Sequence, residues 1–338
     1  MVRLQDLLIF YQCRSTHVDM KTYYTLEKQG LVTIRQHPDY PIFLLNYTPR
    51  TQYKSRWCHE LIHARGLVVA KDGEILARPL PKFFNHYEIK GELEEDFELY
   101  DKMDGSLVIM FYYKNNRIFC TRGSFTSVQA ARAHKIFEQK YNHVIVNKEC
   151  TYCFEVIYPE NKIVVDYGNI EELFLISITH TQTGKEVNID ASEFKTVSKI
   201  KMTENSIQDL LNNNIPNKEG YVIKYKNGFR MKLKFHNYIS KHKSKTLSAN
   251  SIKRSMQKME NINLENVPDE CYEEVKQIQS ELEEQFKCKK QMFEEEYKDI
   301  VRESNGDIVE AIKQSQHSSI LFAIHRCKSY DKLVWKLL

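Results

Sequence analysis

The stretch EGYVIKYKNGFRMKLKF, residues 219–235, constrains the fold of this 338-residue chain more than any other. Two runs of β-branched and aromatic residues flank Asn227-Gly228, a dipeptide that takes positive φ cheaply and so closes a β-hairpin. In the second run, alternation puts Lys232 and Lys234 on one face and Met231, Leu233 and Phe235 on the other. A strand with one apolar face has to be covered on that side, which calls for an antiparallel sheet packed on something else. Similar signals recur upstream. RGLVVAKDGEILARPL reads as two strands around Asp72-Gly73, and GSLVIMFYYKNNRIFCTRGSF as a pair turning at Asn115-Asn116. TYCFEVIYPENKIVVDYG and LFLISITHTQTGKEVNI read likewise, with turns at 159–162 and 181–185. SVQAARAHKIFEQKY is a helical patch between them.

Past Lys245 the texture changes. Val275, Ile278, Leu282, Phe286, Phe293, Tyr297 and Ile300 recur at helical spacing until Ser304-Asn305-Gly306 interrupts them. DIVEAIKQSQ and YDKLVWKLL imply two or three further helices. The expected fold class is therefore α+β. An N-terminal domain over residues 1–245 is built on antiparallel sheets with flanking helices, and a smaller all-helical domain occupies 246–338, joined near 244–258. The length suffices for two domains.

A net charge of +4 says little by itself, but its distribution is uneven. No Asp or Glu occurs from Gly220 to Lys258, a span that holds Lys224, Lys226, Arg230, Lys232, Lys234, Lys245 and further lysines. Phosphate is the usual anion for such a block, although a solvated lysine face has the same composition. The eight cysteines are scattered singly except for Cys150 and Cys153, which read as buried thiols in a strand rather than half of a zinc site. No cleavable leader pattern opens the chain, and no apolar run approaches the roughly 20 residues of a membrane span. An intracellular, reducing compartment is expected.

CHELIHARG contains His59-Glu60-Leu61-Ile62-His63, an HExxH match that on a helix would place two histidines on one face to bind zinc. The strand-like LVVA follows Arg65-Gly66 at once, which leaves the helix no room to continue. A zinc metalloprotease is therefore the remote reading.

The chemistry gathers elsewhere. Arg65, Lys82, Lys102, Asp104, Arg122, Glu155, Glu219, Lys232 and Lys234 all fall within or beside segments read as strands. Two lysines on one strand face repel unless an anion lies between them, and a triphosphate would serve. Glu155 is an acid inside the apolar run CFEVIY, costly unless it is paired or binds a metal. Glu219 precedes Gly220, which permits close backbone approach. Lys102 stands before the turn Asp104-Gly105-Ser106. A lysine ringed by cations and close to a divalent metal is pushed towards the neutral amine that can attack phosphorus.

At these residues the sequence resembles the covalent nucleotidyltransferase superfamily of RNA ligases, DNA ligases and capping enzymes. KMDGS (Lys102 to Ser106) matches its KxDG nucleophile motif, FEVIYPENKIVV its motif III, EGYVIKY motif IV and MKLK motif V. Any one is weak; four in order are specific. Within the superfamily the chain is most similar to the phage RNA ligase 1, tRNA-repair type, through ARGLVV, RPLPKFFN, RGS, KLKxxxYxSxH and the tail LFAIHRCKSYDKLVWKLL. The last WKLL departs from the Arg-Pro ending of that family, which fits a piece of a longer protein.

The resemblance implies that Lys102 takes AMP on its amine, with Asp104, Lys232 and Lys234 in the catalytic set. Arg65, Lys82, Lys232 and Lys234 would contact the ATP phosphates, Phe84 would shape the nucleotide pocket, and Gly105 would allow close approach. Val222 would lie against adenine, Glu155 would bind ribose or metal, and Glu219 metal. Arg122 stands where relatives carry lysine, a fork in place of a point charge.

The implied cofactors are ATP and Mg²⁺ or Mn²⁺, and the implied enzyme is an ATP-dependent RNA ligase joining 5′-phosphate and 3′-hydroxyl ends. Its partners would be single-stranded or nicked RNA, a cleaved tRNA included, and a polynucleotide kinase–phosphatase that prepares the ends. A monomer in the cytoplasm, of an infected host cell if the source is viral, is expected. A DNA ligase or capping enzyme shares the lysine chemistry, but those usually follow motif V with a β-rich OB domain, where this chain turns helical. A retired RNA-binding module would have no need of the intact KMDGS and both glutamates.

Overall fold

The architecture follows from a computed structural model that describes residues 2–11, 15–91, 96–189, 193–201, 207–212, 214–246, 249–258, 264, 267–304 and 306–338. The chain divides into two compact units, Met1–His242 and Lys243–Leu338. The fold class is α+β: antiparallel sheets with flanking helices in the first unit, helices in the second.

Three larger sheets build the first unit, beside a two-stranded parallel pair of Val2–Arg3 with Ile89–Lys90. The four-stranded sheet runs Val32–Gln36, Ile42–Tyr47, Arg65–Ala70, Ile75–Ala77, all antiparallel. A five-stranded sheet has the spatial order Asn116–Thr121, Ser106–Tyr113, Cys150–Ile157, Glu172–His180, Glu186–Val187. The second five-stranded sheet runs Lys199–Ile200, Phe97–Lys102, Gly220–Tyr225, Arg230–Lys234, Phe84–Asn85, with only the last pairing parallel.

Each five-stranded sheet hides one face in its own core. The helix Val128–Lys140, capped by the Ser127 side chain, lays Ala130, Ala133, Ile136 and Phe137 on Val108, Met110, Phe154 and Val156. Behind the other sheet, Leu99, Ile223, Met231 and Leu233 pack with Leu7, Leu210 and Tyr238. Period-two alternation turns the remaining residues away from these cores: Ile109, Phe111 and Cys153 pack on Ile42, Leu44 and Val68 of the four-stranded sheet, while Leu107, Glu155 and Ile176 border one cavity with Tyr100, Lys102 and Val222 of the other five-stranded sheet.

Two details depart from the sequence reading. The hairpin after Tyr113 turns at Lys114-Asn115, one residue early: both have positive φ (48° and 65°), and Asn116 already pairs with Tyr113. That is the type I′ geometry whose twist matches the flanking strands. The IVVDYG segment is not a strand, because the Val164 and Val165 amides donate to the Asp104 carboxylate instead of to a ladder. The other upstream hairpins form where expected, around Asp72-Gly73, 181–185 and Asn227-Gly228.

The second unit is led by the 32-residue helix Tyr272–Glu303, whose Val275 and Phe293 are buried. Ile308–Gln314, Ser318–His325 and Asp331–Lys336 follow. Phe293, Ile320 and Val334 form a core shared by Tyr272–Glu303, Ser318–His325 and Asp331–Lys336, and Phe286 stacks on Trp335 at 4.6 Å. The linker positions 247–248 and Asn305 of the helix-breaking triplet lie outside the described residues, as does the side chain of Lys245. No helix among the described residues is long and apolar enough to cross a membrane.

Candidate active site

The register of three strands assembles the site. Lys102 ends Phe97–Lys102 opposite Gly220, and Gly220 lies opposite Lys234. Opposed residues share a face, so the two lysines flank a position without a side chain. Gly220 is required there on steric grounds: at φ +150 a Cβ would sit 1.9 Å from the Leu233 carbonyl oxygen. The preceding Glu219 sends its buried carboxylate between the lysines, 3.0 Å from Lys102 Nζ and 3.3 Å from Lys234 Nζ.

Glu155 approaches from the opposite sheet, where it pairs with Leu107. Its Oε1 accepts a hydrogen bond from the Gly105 amide at 3.1 Å. Burial pushes this carboxyl up to about 7, against the pull of the Lys102 charge. Gly105 fits against this strand because it has no side chain: a Cβ would lie 2.5 Å from both the Val156 carbonyl oxygen and Ile157 Cδ1.

Arg65, Lys102, Glu155 and Val222 line the cavity between the sheets, with Phe83 and Tyr100. The Arg65 guanidinium donates to the Leu80 carbonyl at 3.3 Å and sits 5.4 Å over the Phe83 ring. Val222 lies between Tyr100 and Lys232 across the strands, so Lys232 shares the face of Lys102 and Lys234.

Four residues singled out in the sequence stand back from the cavity. Asp104 is buried, and its Oδ2 accepts from the amides of Val164 (2.9 Å) and Val165 (2.8 Å) while Oδ1 accepts from the Tyr238 hydroxyl (2.7 Å). Its own amide donates to the Tyr167 hydroxyl at 2.8 Å. Asp104 thus anchors the loop after Lys102. Phe84 is fully buried, edge-on to Trp57 at 5.3 Å, and it is the neighbouring Phe83 that lines the cavity. Lys82 is 2% exposed, with Nζ 5.1 Å, 5.5 Å and 6.0 Å from the ring centroids of Phe84, Trp57 and Tyr47. Arg122 donates to the Tyr47 hydroxyl at 2.9 Å, next to this aromatic box. The sequence reading did not single out Phe83, Tyr100, Tyr167 or Tyr238, although Phe83 lies in RPLPKFFN and Tyr238 in KLKxxxYxSxH.

The HExxH match forms a five-residue helix, His59–His63, that ends at Ala64 before the strand Arg65–Ala70. Its imidazole rings lie 4.6 Å apart. Among the described residues no group of three or more His, Cys, Asp or Glu side chains is placed to hold a metal ion. The buried Glu219 and the half-buried Glu155 nonetheless supply carboxylate oxygens beside Lys102, donors of the kind suited to a hard divalent cation that completes its shell with phosphate and water.

A lysine amine, a second lysine and an arginine converge with two carboxylates, one buried and one half-buried, at the mouth of an apolar cavity, an arrangement suited to phosphate chemistry on a nucleotide. The chain belongs to the phage RNA ligase 1 family: the family model, described as RNA ligase, matches residues 63–246. A viral relative from Autographa californica nuclear polyhedrosis virus, named as a bifunctional polynucleotide kinase/RNA ligase, is 23% identical over 258 residues. The match takes in 66% of this chain and 36% of the relative, so the chain spans about a third of that protein's length. Among solved structures, an archaeal ATP-dependent RNA ligase aligns with a TM-score of 0.49 at 13% identity, covering 74% of this chain and 68% of its own. A protein from Aquifex aeolicus named as an ATP-dependent DNA ligase aligns at 0.47 with 17% identity, covering 92% and 88%.

Proposed function

We propose that this protein is an ATP-dependent RNA ligase that works through a lysyl-AMP intermediate on Lys102. The observation that carries the reading is the row Lys102–Gly220–Lys234 with the Glu219 carboxylate between the two amines, set at the mouth of the cavity that Glu155 and Val222 line.

Adenine lies over Val222, with Phe83 and Tyr100 in the wall. Arg65, Lys232 and Lys234 hold the phosphates, each cation opposing charge on oxygens that gain it as the bond breaks. The Lys102 amine attacks the α-phosphorus; the N–P bond forms, the bond to the bridging oxygen breaks, and pyrophosphate leaves. AMP then passes from Lys102 to the 5′-phosphate of an RNA end. The 3′-hydroxyl of the other end attacks that phosphate and releases AMP. While Lys102 is ion-paired with Glu219 its nitrogen has no lone pair to offer, so Glu219 must be engaged elsewhere when the amine attacks. Glu155 and Glu219 would hold Mg²⁺ or Mn²⁺, which when bound offsets phosphate charge and occupies the Glu219 carboxylate. Asp104 acts as a positioning residue by tying the loop after Lys102 to Val164, Val165 and Tyr238.

Residues 1–245 carry the adenylyltransferase and 246–338 contribute to the choice of RNA. The kinase named in the viral relative supports a role in repair of RNA ends, cleaved tRNA among them, alongside an end-preparing kinase–phosphatase. The test is ligation of a 5′-phosphorylated single-stranded RNA with ATP and Mg²⁺. Circular or joined RNA is expected; sealing of nicked DNA with no joining of RNA would overturn the reading.

A further inference from the structure

Beyond the nucleotide cavity, along the same sheet, lies a second and more polar space. The register fixes where it begins. From the Lys102–Gly220–Lys234 row the sheet steps to Tyr100–Val222–Lys232 and then to Glu98–Lys224–Arg230. Four residues of strand separate the first row from the third, about 14 Å at about 3.4 Å per residue. Lys224 and Arg230 border both cavities. The far walls are the loop between Glu172–His180 and Glu186–Val187, the turn of the Asn227-Gly228 hairpin, and the segment 78–83.

Folding brings together cations that are scattered in sequence. Arg78, Lys185, Lys224, Lys226 and Arg230 line this space, against the single carboxylate of Glu186. Glu186 binds Lys224 at 3.1 Å and also takes the Arg230 guanidinium. Arg78 is buried, and its guanidinium donates to the Thr181 carbonyl at 2.8 Å and to the Ser15 carbonyl. Glu186 is the one acid among the lining residues, and Lys226 also pairs with Asp96 at the rim; a concave wall in which cations predominate concentrates its field on an anion. Thr183 and Asn227, also in the lining, add neutral hydrogen-bonding groups.

We propose that this cavity binds backbone phosphate of the RNA strand being joined, about 14 Å from the nucleophile, a distance of roughly four stacked nucleotides at about 3.4 Å each. The proposal rests on the RNA ligase reading and extends it by naming where the strand is held away from its reacting end. The basic run after Gly220 supplies three of the cations; Arg78 and Lys185 join them only through the fold.

The test uses Lys185→Ala/Lys226→Ala, both exposed and outside the nucleotide cavity, and separately Thr183→Glu, which puts a negative charge into the space. Binding of a labelled single-stranded RNA is followed by anisotropy across a salt series, and self-adenylylation with ATP is measured on the same proteins. The double variant is expected to lose about tenfold in RNA affinity. Its slope of log affinity against log salt should shrink by about 1.4, two contacts at about 0.7 each. Thr183→Glu should weaken RNA binding at least as much, with self-adenylylation unchanged in all. Unchanged RNA affinity and slope in both variants would overturn the proposal. So would a loss confined to apparent ATP affinity, which would assign the cavity to free nucleotide phosphate. A wild type that never self-adenylylates but whose RNA binding responds as described would sink the ligase reading and leave this site standing.

Discussion

Lys102 Nζ lies 3.0 Å from Glu219 Oε2, so the candidate nucleophile is tied to the carboxylate assigned to the metal. Glu219→Gln keeps the shape and removes the charge. Self-adenylylation is expected to fall about 100- to 1,000-fold, the size of losing one well-placed electrostatic group, with raised Mg²⁺ recovering little. A rate within threefold of wild type, measured with labelled ATP, would remove Glu219 from the chemistry.

Glu155 gives a pH-dependent signature. Its carboxyl is held at about 7 in the fold against an ordinary 4.5, so between those values the folded state binds more protons than the unfolded. Stability therefore falls as pH rises through that window, and the full cost is present above about 7. In buffer without divalent metal, Glu155→Gln should melt several degrees above wild type at pH 8, the gain vanishing below about pH 4.5. Adenylylation should nevertheless drop sharply. A variant no more stable than wild type at pH 8, by calorimetry, would contradict this account of the site.

Asp104 makes its contribution through others. Asp104→Ala would strip partners from the Val164 and Val165 amides and the Tyr238 hydroxyl, at a cost of about 1–3 kcal/mol for each buried group left unsatisfied. Lowered denaturation midpoint together with slowed adenylylation is expected. Tyr238→Phe, which removes a single bond to the same carboxylate, should show a smaller version of both effects; normal stability in both variants would refute the anchoring role.

Gly220→Ala should cost more than about 3 kcal/mol, because its Cβ would collide with strand backbone rather than with a movable side chain. Chemical denaturation measures this, and a loss below about 1 kcal/mol would mean that the three strands around Lys102 are spaced differently.

Much of this arrangement can be read before any coordinates. Lys232 and Lys234 are placed on one face by alternation alone, and Asn227-Gly228 closes their hairpin because short-range turn chemistry decides it. What escapes the sequence depends on distant partners. IVVDYG has every local mark of a strand, yet its amides are taken by Asp104, 60 residues away. The same pairing bears on Asp104: KxDG suggests a catalytic carboxylate, and nothing nearby in sequence reveals that three donors already fill it. In RPLPKFFN, two prolines interrupt the strand periodicity, so parity could not say whether Phe83 or Phe84 faces the cavity. Arg78 and Lys185 sit far from the basic run in sequence and join it only when the sheets fold.

The most direct test of the central claim is to incubate the protein with ATP and Mg²⁺, digest it, and locate AMP by mass spectrometry, with Lys102→Ala in parallel. AMP on the Lys102 peptide of wild type and nowhere on the variant is the predicted result. AMP on another residue, or label that persists in Lys102→Ala, would contradict the mechanism.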